Sequence, residues 1–89
     1  MMADSIMQDR KECFYTGRTD DLAKHHIMRG SRRKRADKLG CWIWVTPEWH
    51  RKIHENRILE EQLKQLCQMK FEELYGHDTW MWVFEKNYL

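Results

Sequence analysis

The chain has 89 residues, enough for one domain and too few for two independent cores. Its composition, 42% hydrophobic and 34% charged with five tryptophans, is that of a packed globule and excludes a disordered tail. The net charge of +2 conceals a division: Arg29, Arg32, Arg33, Lys34, Arg35 and Lys38 lie together with a single acid, Asp37, giving a local +5 and leaving −3 for the remainder. Positive charge focused in this way points to a polyanionic partner.

In chain order, the first ten residues are polar with scattered methionines and are expected as a frayed helix or disordered arm. The opening "MMADSIMQDRKEC" has no charged-then-apolar leader, and no run approaches 18 apolar residues. With three widely spaced cysteines, Cys13, Cys41 and Cys67, this predicts a cytoplasmic protein without a membrane span. "ECFYTGRTDDL" carries the turn chemistry of Gly17, Asp20 and Asp21 and reads as a short hairpin or knuckle. In "LAKHHIM" the alternation predicts a strand that sends His25 and His26 to opposite sides. From Gly30 to Gly40 a polar basic loop follows, with a short helix begun by Ser31 and stopped by Gly40. "CWIWV" is a second strand, expected to pair with the first.

Thr46, Pro47 and Glu48 then open a helix as N-cap, first-turn proline and dipole-favoured acid. A longer helix over "ILEEQLKQLCQMKFEELYG" is expected to bury Leu59, Leu63, Leu66, Met69 or Lys70, and Leu74, with Cys67 and Phe71 beside them, and to stop at Gly76. A final helix from Asp78 uses Trp80, Val83 and Phe84 to cap the core. Trp42, Trp44, Trp80 and Trp82 read as core residues, and His77 as a surface residue. The chain shows no internal repeat, low-complexity tract or linker. The whole describes a single α+β domain over residues 1–89.

Four of the five histidines fall between Leu22 and Asn56. His50 and His54, four apart on one helix, project from the same face about 6 Å apart and can converge on one ion. Pairing of the two strands brings His25 and His26 back toward that helix. Three imidazoles with an open position describe a catalytic metal site better than a closed structural one, and the fourth is left to take a proton from water.

This arrangement resembles the HNH, or ββα-metal (His-Me finger), endonucleases. "TPEWHRKIH" is similar to the last helix of colicin-type nuclease domains, and the portion from Cys13 to "FEKNYL" is similar to small phage-type HNH proteins. The resemblance implies a ββα-metal finger with additional C-terminal helices. It makes His25, His50 and His54 the ligands of one divalent ion (Mg²⁺, Mn²⁺, Ni²⁺ or Zn²⁺) and His26 the general base. The implied activity is hydrolysis of DNA, double-stranded by expectation, leaving 5′-phosphate and 3′-hydroxyl ends. An imidazole of ordinary pKa, near 6.5, is mostly neutral at pH 7 and able to accept a proton. The ion would act as a Lewis acid. Arg29, Arg32, Arg33, Lys34 and Arg35 are the candidates for phosphate contact.

Two departures from the family pattern stand out. Where many HNH proteins carry a zinc knuckle, Cys13 is followed by Thr16 in place of a second cysteine, and Thr46 and Trp49 occupy the positions of the other pair, so no structural zinc is expected. The family's middle asparagine has no counterpart, and counting back from His50 lands near Cys41. Two alternative functions stand beside this one: a DNA-binding module that has lost turnover, which the absent asparagine favours, and a metal-stabilised structural protein whose histidines hold the fold and whose basic loop binds acidic protein.

Overall fold

A computed structural model describes residues 4–89. Among them the architecture is α+β, a two-stranded antiparallel sheet with four α-helices, in the order β1 (Ala23–His26), a 3-10 turn (Gly30–Arg32), α1 (Arg33–Lys38), β2 (Trp42–Val45), α2 (Pro47–Glu55), α3 (Arg57–Tyr75) and α4 (His77–Phe84). No helix among these residues is long and apolar enough to cross a membrane.

The two strands pair as Ala23 with Val45, Lys24 with Trp44, His25 with Ile43 and His26 with Trp42. Directly opposed residues share a face. Ala23, His25, Ile43 and Val45 therefore look toward the core, while Lys24, His26, Trp42 and Trp44 lie on the reverse. Lys24 Nζ sits 4.4 Å above the Trp42 ring, so the reverse face is closed by a cation over an aromatic.

The free edge of β2 is covered by the start of the described chain. Ser5 Oγ donates to the Trp42 carbonyl at 2.5 Å, the Ile6 amide to the Gly40 carbonyl at 2.9 Å, and the Trp44 amide to Gln8 Oε1 at 2.7 Å. The frayed helix expected over residues 1–10 is thus corrected where the structure describes it: residues 4–8 form no helix and dock by hydrogen bonds. Residues 1–3 lie outside the described part. Covering a strand edge satisfies its amides and carbonyls and removes a template for pairing with other chains.

Local signals place the helices. Thr46 Oγ accepts the Trp49 amide at 3.4 Å and Pro47 takes the first turn of α2, as the sequence predicts. Asn56 ends α2 and caps α3, its Oδ1 accepting the Ile58 and Leu59 amides at 3.0 and 3.2 Å. Gly76, at φ +88°, stops α3, and α4 starts one residue earlier than expected, at His77.

The buried face of α3 differs from the expected stripe. Leu63, Cys67, Gln68 and Phe71 are buried, while Leu66, Met69 and Leu74 are exposed. Apolar residues occur on both sides of this helix, and aromatic packing selects one of them. Phe71 meets Trp80 at 5.4 Å and Phe84 at 5.8 Å between ring centroids, and the spacing of four that places Leu63 and Cys67 above Phe71 follows. Gln68 is buried without cost because its amide is satisfied. Its Nε2 donates to Glu72 and Asn87 and its Oε1 accepts the Tyr88 amide. Of the tryptophans expected in the core, Trp42 and Trp80 are buried and Trp44 is half-buried, whereas Trp82 is 82% exposed, because α4 turns Trp80 and Phe84 inward.

Gly40 joins α1 to β2 at φ +83°, and a Cβ there would collide with the backbone oxygen of Asp4. Gly40→Ala is therefore expected to destabilise the fold by about 1–3 kcal/mol from backbone strain alone, more if the covering segment is displaced. Urea unfolding measures it, and an unchanged midpoint would show that residue 40 is neither strained nor crowded by Asp4.

Candidate metal centre

The core-facing side of β1 carries one polar residue, His25, which is 3% exposed. Across it packs α2, whose spacing of four brings His50 and His54 onto the facing side. The ring centroids of His25 lie 5.4 Å from His50 and 5.3 Å from His54, and the two helical rings are 4.8 Å apart. One nitrogen from each ring can be chosen so that all three lie within 4.8 Å of one another. Nitrogens set tetrahedrally about 2.1 Å from an ion would be roughly 3.4 Å apart, a spacing of the same order as that of the three rings. The three residues are therefore close enough together to hold a metal ion.

The chemistry of the rings fits that use. His25 Nδ1 is buried and has no hydrogen-bond partner among the described residues, a cost that folding tolerates only when something offsets it. Burial, together with His50, His54, Arg29 and His26 around it, pushes the His25 pKa down to about 3. Burial and the neighbouring His54 and His26 lower His50 as well. Both rings are thus neutral at physiological pH, the form that binds metal.

His26 ends β1 and leaves from the other side, where its Nδ1 lies 2.7 Å from Asp37 Oδ1 on α1. Arg33 Nε stands 3.8 Å from the second oxygen of the same carboxylate. A cleft of about 550 Å³ curves around the end of β1 and is lined by all four histidines together with Arg29 and Arg33. The expected opposition of His25 and His26 is present, and the two meet one cleft because His26 stands at the strand's end.

The basic residues divide into two groups. Arg32 Nε donates to the Phe84 carbonyl and Arg35 Nη1 to the Val83 carbonyl, each at 2.8 Å, so both cap the C-terminal end of α4. Arg29 and Arg33 line the cleft, and Lys34 is exposed on α1. Arg29 Nη2 donates to His54 Nδ1 at 2.7 Å and also to Glu60 Oε1. His77 is exposed, 3.1 Å from Glu72, and does not line the cleft. Asp37 and Glu60 are site residues that the sequence pattern does not single out. For Asp37 a signal exists, a lone acid in a basic run; Glu60 looks like any helix surface residue.

The Cys13–Gly17 turn lies against the start of α2. Burial raises the Cys13 thiol, but the Thr16 side chain and backbone groups of Thr46, Tyr15 and Thr16 outweigh it and hold its pKa below the ordinary value. Tyr15 stacks on Trp49 at 4.3 Å, which ties the Cys13–Gly17 turn to α2. Cys41, just before β2, is fully buried, its amide donating to the Ala36 carbonyl at 2.8 Å, and it meets Cys67 of α3. The loop between the strands is pinned by Arg32, Arg35, the Ile6 amide and the His26–Asp37 pair.

Comparison with known protein families, with curated proteins and with solved structures finds no match for this chain.

The lowered pKa of His25 makes stability depend on pH. Between its unfolded value near 6.5 and about 3 the unfolded chain binds a proton that the folded chain refuses, so stability rises with pH through this window and levels off above it. Metal-free protein should therefore lose up to about 1.4 kcal/mol per pH unit from this residue as pH falls from 6.5 toward 4. His25→Leu should flatten that slope. Urea midpoints at several pH values test it, and an equally steep slope in the variant would assign the loss to other groups.

Proposed function

We propose that the chain is a metal-dependent endonuclease of the HNH, or ββα-metal, kind, in which β1, β2 and α2 form the metal finger and a divalent ion is held by His25, His50 and His54. The observation that carries this reading is the convergence of those three imidazoles beside a fourth, His26, whose Nδ1 is engaged by a carboxylate.

The His26–Asp37 contact governs the chemistry of the base. A neutral imidazole that donates from Nδ1 to Asp37 keeps its lone pair on Nε2, and that nitrogen takes the proton as water attacks phosphorus. Asp37 then faces the resulting imidazolium and stabilises its charge. Arg29 and Arg33, at the rim of the cleft, supply guanidinium groups for the non-bridging oxygens of the phosphodiester. A divalent ion bound by the three ligands would supply Lewis-acid stabilisation of the developing charge, including that on the departing 3′ oxygen. The products are a 5′-phosphate and a 3′-hydroxyl.

DNA is favoured as substrate by the exposed cations beside the cleft. Arg33 and Lys34 are suited to grip flanking phosphates of a duplex, whereas Arg32 and Arg35 are committed to the end of α4.

Supercoiled plasmid incubated with Mg²⁺, Mn²⁺, Ni²⁺ or Zn²⁺ provides the test. Cutting with at least one ion is expected; a mobility shift without cutting would leave a binding module, and neither would leave a structural role for the histidines. His26→Ala should slow cutting roughly 10²–10⁴-fold while metal affinity stays within about twofold. His50→Ala or His54→Ala should lose both, and unchanged metal affinity in these two would remove them as ligands.

The salt dependence of duplex binding gives a further check. Replacing Arg33 and Lys34 with Ser should reduce the slope of log K against log salt by about 0.9 for each phosphate that the protein no longer neutralises. An identical slope would move the DNA surface elsewhere.

A further inference from the structure

The contact between Arg29 and His54 has a consequence for the order in which the site is filled. A guanidinium only donates hydrogen bonds, so the ring nitrogen it approaches at 2.7 Å, His54 Nδ1, must be the unprotonated one. A neutral imidazole has a single such nitrogen. The proton of His54 is then on Nε2, and neither nitrogen is available to an ion: Nδ1 is occupied by Arg29 and Nε2 carries hydrogen. If Nδ1 is to ligate, Arg29 must leave. If Nε2 is to ligate, its proton must pass through solvent to Nδ1, which cannot face a guanidinium while it is itself a donor, so Arg29 must leave again.

Glu60 favours the second route. Its Oε1 lies 3.9 Å from His54 Nδ1 and is also held by Arg29. Once the guanidinium departs, this carboxylate is the nearest acceptor for an Nδ1 proton, and a carboxylate behind a ligating histidine fixes the tautomer that leaves Nε2 free to bind. The freed Arg29 remains in the cleft, next to Arg33 and His26, with a planar cationic fork and no carboxylate of its own.

We propose that Arg29 is an exchangeable gate, holding His54 in the tautomer that cannot bind metal until an ion displaces it, and that the displaced guanidinium then takes a phosphate of the DNA. This rests on the assignment of His25, His50 and His54 as ligands. Ion and DNA therefore assist each other, and the assistance is reciprocal: whatever factor the ion adds to DNA affinity, DNA adds to ion affinity.

Two measurements on the full chain test the gate, with Zn²⁺ as probe because it is diamagnetic. In metal-free wild-type protein, long-range ¹H–¹⁵N spectra should show the His54 proton on Nε2, and Zn²⁺ should move it to Nδ1. In calorimetric titration Arg29→Met should bind Zn²⁺ roughly three- to thirtyfold more tightly than wild type, the range expected for releasing a charge-assisted hydrogen bond at a half-exposed site. In a His26→Ala background, which slows cutting enough for binding to be measured, Zn²⁺ should raise duplex affinity more with Arg29 in place than in Arg29→Met. An Nδ1 proton in the metal-free wild type, or equal Zn²⁺ affinity in both proteins, would overturn the gate while leaving the metal site standing. Failure of both proteins to bind Zn²⁺ would remove the ligand assignment and the gate with it.

Discussion

Adjacent side chains on an extended strand leave on opposite sides, and at His25 and His26 that constraint organises the rest of the site. His25 must enter the core, where only α2 can meet it, and the helix answers with two histidines one turn apart. His26 must leave the core, where α1 supplies Asp37. A shift of one residue in the β1–β2 register would exchange the two environments, placing a ring with a free lone pair against a carboxylate and a carboxylate-bound ring in the apolar interior. The pairing of Trp42 with His26 and Ile43 with His25 is therefore also a choice of chemistry.

The basic run illustrates how one composition can serve two purposes. Arg32 and Arg35 lie three apart and reach the carbonyls at the end of α4, where a helix dipole and unpaired acceptors favour cations. Arg29 and Arg33 are four apart and turn toward the histidines. Part of the +5 segment thus closes the fold over its last helix, and part faces the cleft. A charge count taken from the sequence cannot distinguish these, since the partners that decide, from His54 for Arg29 to Phe84 for Arg32, lie 25 to 52 positions away.

Much of the framework is legible in the sequence because its signals are local. Thr46 and Pro47 announce α2, Gly76 ends α3, the alternation around His25 marks β1, and a spacing of four puts His50 and His54 on one face. What escapes a sequence reading depends on distant contacts. Apolar residues lie on both sides of α3, and only the docking of Trp80 and Phe84 on Phe71 decides which side is buried. Glu60 belongs to the site because Arg29, 31 positions earlier, folds over it. Residues 4–8 have the composition of a loose arm, and nothing in it reveals that β2 has an open edge at hydrogen-bonding distance.

The separation in sequence of these contacts also bears on how the molecule assembles. The pair α3–α4 is joined through Gly76 alone, so its aromatic contacts close short loops and can form early. The strands enclose residues 27–41, and the segment covering β2 arrives from 36 and 37 positions away. His25 meets α2 across 25 and 29 positions, to His50 and His54. By topology the convergence of the three rings is expected to follow that of the helical pair, and a spectroscopic probe placed at the histidines would test that order.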